Sequence, residues 1–165
     1  MRRGARQRKS EPIKMTCTVR PTRPGDADAI SRVIVQALTE TNSRDYVPEI
    51  IARLTRSFTP DAVKTLMDGM TMFTAELAGR VVGTASLDEA RVRTVFVAPD
   101  VQGLGVGRAL MAAVMAAARE RGVDVLSLRS SITAETFYAR LGFTPVRDAF
   151  HGDERTIIME CALGI

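Results

Sequence analysis

Between Val95 and Arg108 the chain reads V-F-V-A-P-D-V-Q-G-L-G-V-G-R, an apolar strand halted at Pro99 and followed by a glycine-rich opening to a helix. Glycines at 103, 105 and 107 carry no side chains, so backbone N–H groups can converge on a ligand at close range. The helix that follows adds unpaired N–H donors and the positive end of its dipole, a combination suited to phosphate. The stretch therefore reads as a diphosphate cradle. Tyr138, in F-Y-A-R-L-G-F, is a second group of interest, because a phenol placed in a core normally sends its hydroxyl to a partner.

Phosphate loops come in several kinds, and spacing separates them. A Walker loop requires G-x-x-x-x-G-K-[ST], and neither Lys nor Ser/Thr follows Gly107, which excludes it. A dinucleotide fingerprint requires G-x-G-x-x-G straight after the first strand of a βαβ unit. Here the spacing is G-x-G-x-G with A-P-D-V-Q intervening, although Asp124 in the place of a ribose-binding acid keeps that reading open.

The elements that must position these groups follow from periodicity. Residues 15–20 alternate as a first strand, and Asp26 caps a helix with the stripe Ile30, Val33, Ile34, Ala37 and Leu38. A second amphipathic segment carries Val47, Ile50, Ile51, Leu54 and Phe58, and Thr59-Pro60 restarts the chain as a cap with Pro at N1. Runs 71–77, 80–87 and 91–97, joined by Ala78-Gly79 and Asp88-Glu89, predict three neighbouring antiparallel strands. The helix after the glycine loop stops at Gly122, and 124–128 follows as a strand crossing over in parallel to 91–97. A last helix from 130–133 onward, then strands 143–146 and 155–163, complete an α/β mixed sheet with helices on both faces.

Composition bounds the rest. At 165 residues, 45% hydrophobic and 25% charged, the chain suits one domain over residues 15–165. The net charge of +4 belongs to residues 1–14, where Arg2, Arg3, Arg6, Arg8, Lys9 and Lys14 face only Glu11, leaving the remainder slightly acidic. That basic extension is expected to be disordered and solvated, with Met15 as an alternative start and a nucleic-acid-binding arm as the sharper reading. No membrane-length apolar run or secretory signal is legible, so the expected location is cytoplasmic. Cys17 and Cys161, far apart, with a single histidine, His151, predict free thiols and no metal site.

Gln102-Gly103-Leu104-Gly105-Val106-Gly107 resembles the Q/R-x-x-G-x-G/A signature of the GNAT superfamily of acyl-CoA-dependent N-acyltransferases. A-E-T-F-Y-A-R-L-G-F at 134–143 is similar to that family's A-x-x-F-Y-x-x-L-G-F helix, and the match in pattern runs from about Ala75 to Phe143. The resemblance implies a GNAT-like fold and an N-acetyltransferase moving acetyl from acetyl-CoA directly to a primary amine. The alternative is a non-catalytic acyl-CoA-binding module on the same fold.

By that resemblance the backbone from Gly103 to Gly107, with Gln102, Leu104, Val106 and Arg108, holds the coenzyme's diphosphate. Its pantetheine arm pairs with Val95, Phe96 and Val97, on a strand splayed from 124–128, and an N–H near Val97 faces the thioester carbonyl. Ser131 and Thr133 stand where family members often carry a coenzyme-contacting Asn. Tyr138 is the implied general acid toward the leaving thiolate. Arg91 occupies the position of the carboxylate base in several members, so the base passes to Glu89, two residues earlier on the same strand face. Arg91 and Arg93 could instead receive an acidic group of the substrate, and His151 lies in a region that can border the acceptor site. The acceptor is a small-molecule amine or a protein or peptide amine, with no membrane partner; nucleic acid enters only as the alternative carried by the basic residues 1–14, against a slightly acidic remainder, and dimers are frequent in such families.

Overall fold

The strand runs assemble into a single sheet because each presents an apolar face and closes a short connection to the next. In the computed structural model, which describes residues 16–164, the strands are β1 (Cys17–Pro21), β2 (Thr71–Leu77), β3 (Arg80–Asp88), β4 (Arg91–Val97), β5 (Val125–Ser130), β6 (Thr144–His151) and β7 (Glu154–Ala162). Their order is β1-β2-β3-β4-β5-β7-β6, with β4 and β5 parallel and every other neighbouring pair antiparallel. The helices are α1 (Ala27–Glu40), α2 (Pro48–Arg56), α3 (Pro60–Gly69), α4 (Val106–Glu120) and α5 (Glu135–Arg140). The expectations for residues 1–14 and for Met15 lie outside the described residues.

Two apolar layers hold the sheet. Val82, Leu87, Leu110, Met111, Val114 and Leu126 belong to the larger one, which packs α4 on the sheet. Ile30, Ile34 and Leu38 of α1 pack with Val63 and Met72 in the other, with Phe58 and Phe96 beside them. The stripe read from the sequence for α1 is buried throughout.

Local signals acted as their chemistry dictates, with one substitution of partner. Thr59 Oγ1 accepts from the Ala62 N–H at 3.3 Å and Pro60 opens α3. Asp26 stands at the start of α1 but makes no cap bond there. Its carboxylate instead accepts from both terminal nitrogens of Arg20, at 2.8 and 2.9 Å, and from the Arg23 N–H at 2.7 Å. Asp26 itself is helical, at φ −84° and ψ −9°, rather than in the extended conformation an N-cap takes, so its carboxylate is turned back to Arg20 and the Arg23 N–H.

The C-terminal boundaries differ from the expected ones. β5 runs to Ser130, residues 131–134 are a turn, and α5 begins only at Glu135. β6 extends to His151 although it is mostly exposed, because an edge strand is held by its ladder to β7 and needs no alternating pattern. Cys17 and Cys161 are both free. Among the described residues no helix is long and apolar enough to cross a membrane.

Candidate active site

The site begins where two parallel strands part. β4 and β5 share one register pair, Arg91 opposite Ser127, with the Ser127 N–H donating to the Ala90 carbonyl at 3.0 Å. β5 then spends its other edge on β7, pairing from Val125 to Ser130. Past Arg91 the β5-facing edge of β4 is left open, and cavities of about 450 and 420 Å³ lie at the gap. Both are lined by Asn42, Val95, Phe96, Ser131, Ala134 and Tyr138, so they meet at one junction.

A bulge in β4 sets which side chains face which way. Arg93 pairs with Ser86 and Phe96 with Thr84, so β4 spends an extra residue there. Thr94 takes φ +47°, a left-handed conformation that is costly for a β-branched residue, and its hydroxyl bonds that of Ser86. Arg91 and Arg93 precede the bulge. The extra residue then inverts parity, so Phe96 turns toward Phe58, with ring centroids 5.6 Å apart, while Val95 and Val97 pack on the α4 layer. The Ala98 N–H donates to the Val82 carbonyl at 2.8 Å; by alternation the Val97 N–H points to the open edge.

The glycine loop supplies backbone donors. Among the described residues the amides of Gly103, Gly105, Val106, Gly107 and Arg108 have no hydrogen-bond acceptor. Gly103 and Gly105 need positive φ, +81° and +86°. Gly107 has a different reason: a Cβ there would stand 3.1 Å from the Phe137 ring, so this glycine admits α5 rather than a ligand. Gln102, Gly103, Gly105, Val106, Gly107 and Arg108 line the 420 Å³ cavity with Val97, Thr133 and Phe137, whereas the Leu104 side chain is exposed and does not.

The linker after α1 crosses this cavity. Gln102 Nε2 donates to Thr41 Oγ1 at 3.1 Å, and the Thr133 hydroxyl and N–H both donate to Asp45, the latter at 3.4 Å. Ser131 Oγ accepts from the Ala134 N–H at 3.3 Å. The two hydroxyls foreseen for the coenzyme are therefore engaged by the chain itself.

Tyr138 is 7% exposed, packs edge-on against Phe137 and Phe143, and lines both cavities. Its hydroxyl makes no hydrogen bond among the described residues, and burial pushes its pKa well above the ordinary phenol value. The other foreseen catalytic group is not brought to this place. Glu89 sits in the β3–β4 turn at φ +53°, exposed and lining neither cavity. β4 begins only at Arg91, so the two-residue spacing does not keep Glu89 on the strand face. His151 ends β6, exposed and equally remote from both linings.

Tyr46, in the link after α1 that the sequence marks for acceptor specificity, lines the 450 Å³ cavity together with two groups that local sequence pattern does not single out, Arg129 and Glu154. Arg129 is on β5 and Glu154 opens β7; only the sheet order brings them beside Arg91 and Arg93. The Glu154 carboxylate accepts from Arg53 of α2 at 2.8 Å. Burial pushes the Tyr46 phenol up to about 12, aided by Glu154 and Asp45 and opposed by Arg129. Among the described residues no three His, Cys, Asp or Glu side chains stand together as metal ligands would.

Comparison with known proteins agrees with this geometry. A family model described as an acetyltransferase (GNAT) domain matches residues 42–161. An uncharacterized N-acetyltransferase of Escherichia coli strain K12, YafP, is 28% identical over 129 residues, 78% of this chain and 82% of its own. The [ribosomal protein bS18]-alanine N-acetyltransferase of Haemophilus influenzae is 30% identical over 97 residues, 53% of this chain and 66% of its own. Among solved structures, a GCN5-related N-acetyltransferase of Rhodopseudomonas palustris superposes with a TM-score of 0.82 at 25% identity, covering 90% of this chain and 97% of its own. The acetyltransferase YncA of Salmonella typhimurium, solved with acetyl-CoA, superposes at 0.70 and 23% identity, covering 90% and 94%.

Proposed function

Since the chain belongs to the GNAT acetyltransferase family, we propose that it moves an acetyl group from acetyl-CoA directly to a primary amine, with Tyr138 at the point of transfer. The observation that carries this reading is the unpartnered Tyr138 hydroxyl at the junction of the two cavities. The glycine loop lines one of them and a polar chamber forms the other.

The cradle fits a diphosphate: five amides without acceptors lie along the loop and the first turn of α4, with Arg108 beside them. When bound, acetyl-CoA supplies an activated acyl thioester. The Val97 N–H, directed to the open edge of β4, donates a hydrogen bond where oxyanion charge develops. Tyr138, held protonated by burial, donates its hydrogen bond to the departing sulfur and keeps its proton until negative charge arises beside it. Ser131 and Thr133, in the turn that leads into α5, would meet the coenzyme only by giving up part of their present bonding.

Glu154 takes the place foreseen for Glu89 as acceptor of the amine proton, directly or through water, because it is the carboxylate in the chamber lining. The H. influenzae relative is named for an alanine amine of a ribosomal protein, so a protein amine and a small-molecule amine both lie within the family's range. A cytoplasmic location is consistent with two free cysteines.

Acetyl-CoA should raise the melting temperature of the purified chain, and Gly105→Glu, which sets a charged side chain in the cradle, should remove that rise. Tyr138→Phe should lower kcat by about a hundredfold or more with little change in the KM for acetyl-CoA. Unchanged melting with acetyl-CoA would overturn the reading. Undiminished turnover in the Phe variant would remove Tyr138 from the chemistry.

A further inference from the structure

The chamber opposite the glycine loop is cationic, and its charges are unevenly satisfied. Arg91 pairs in register with Ser127, and Arg129 lies two residues beyond Ser127, so both arginines stand on one face across the β4–β5 gap. Among the described residues Arg20, Arg53, Arg80, Arg93 and Arg155 each have a carboxylate within salt-bridge distance. Arg91 and Arg129 have none. Arg93, the third arginine lining the chamber, is committed to Asp88 at 3.1 Å. Glu160 faces Ser127 across the β5–β7 ladder and forms no ion pair. Glu154 alone offers negative charge in the lining, and Arg53 already shares it.

A wall of this kind repels a bare alkylammonium ion and welcomes an amine that brings its own negative charge. A guanidinium fork matches the geometry of a carboxylate. Leu54 and Phe58 form an apolar side of the same chamber, so the body between the charged ends need not be polar. We propose that the acceptor is a small amine carrying its own carboxylate, an amino acid in the broad sense, with the carboxylate held by Arg91 and Arg129 and the amine directed toward Glu154. The arrangement also eases the chemistry. The Glu154 carboxylate beside the bound ammonium is placed to take its proton, directly or through water, and so free the lone pair for attack. This proposal rests on the acetyl-transfer reading above.

The test uses the full chain, acetyl-CoA, and coenzyme A release as readout. Acceptors are L-leucine against L-leucinamide and isoamylamine, and glycine, β-alanine and γ-aminobutyrate against the corresponding alkylamines. The carboxamide presents the more nucleophilic amine at neutral pH, so recognition must overcome that advantage. At least one amino acid should exceed its counterpart lacking the carboxylate in kcat/KM by about tenfold, with the difference mostly in KM. Arg91→Gln and Arg129→Gln should each shrink that ratio toward one. The melting shift given by acetyl-CoA, measured on the same variants, reports an intact fold and cradle.

Equal use of amino acids and their counterparts lacking the carboxylate, or a ratio indifferent to both substitutions, overturns the proposal. So does a protein that binds acetyl-CoA yet acetylates no carboxylate-bearing amine in the series. Failure to bind acetyl-CoA at all strikes instead at the acetyl-transfer reading.

Discussion

Tyr138 and Tyr46 are the only tyrosines of the chain, and there is no tryptophan, so their titration can be watched directly by ultraviolet absorbance. Burial raises both phenols, Tyr46 to about 12 and Tyr138 in the same direction. The folded protein should therefore show no tyrosinate near pH 10, where the urea-unfolded chain titrates both. The sign for stability follows: as pH rises above about 10 the unfolded state ionises first, so the contribution present below that pH is progressively lost. Gly107 makes a second residue-scale prediction. Gly107→Ala sets a methyl 3.1 Å from the Phe137 ring, which must shift to admit it, so in urea unfolding the variant should fall short of the roughly 1 kcal/mol that Gly→Ala gains in a helix. It should also reduce turnover, because Phe137 packs directly on Tyr138 with ring centroids 5.0 Å apart.

Among the elements, β4 carries the most unusual backbone. Thr94 at φ +47° spends stability to invert strand parity, so Thr94→Gly should be neutral or stabilising within about 1 kcal/mol in thermal unfolding, against the usual loss for glycine in a strand. A marked destabilisation would mean that the Thr94–Ser86 hydroxyl contact outweighs the strain. At the other end of the sheet, Arg20 ties β1 to the start of α1 and to Glu76 of β2. The Asp26 carboxyl is held below its ordinary pKa, first by the hydrogen bonds from Arg20. Its stabilisation is present above the unfolded value near 4 and is lost as pH falls through the lower folded value. Asp26→Asn should cost about 1–3 kcal/mol at neutral pH and flatten the acid limb of the stability profile.

At the scale of the molecule, one face of the β4–β5 gap is built from backbone amides and the other from charged side chains drawn from β4, β5 and β7. In our reading residues 15–165 suffice for coenzyme recognition. A chain lacking residues 1–14 should keep its melting shift with acetyl-CoA undiminished, since none of those residues belongs to the proposed cradle. Loss of the shift would assign the basic segment a part in binding.

Much of this was legible in order along the chain. Local periodicity predicted the meander 71–97, the crossover through α4 and the stripe of α1, since side-chain alternation and turn residues act between near neighbours. The spacing of Gly103, Gly105 and Gly107 with Phe137 and Tyr138 pointed to the GNAT family and to the coenzyme loop. The parity of β4 was not legible, because a one-residue bulge leaves no compositional mark before Thr94 is seen at positive φ. Nor was the chamber of Arg91, Arg129 and Glu154. These residues are far apart in sequence, and only the insertion of β7 between β5 and β6 carries Glu154 to the acceptor side, while a reversal at Glu89 takes the foreseen carboxylate away. Backbone donors follow from residue type and spacing, whereas charge convergence is a property of strand order, and tertiary structure decides it.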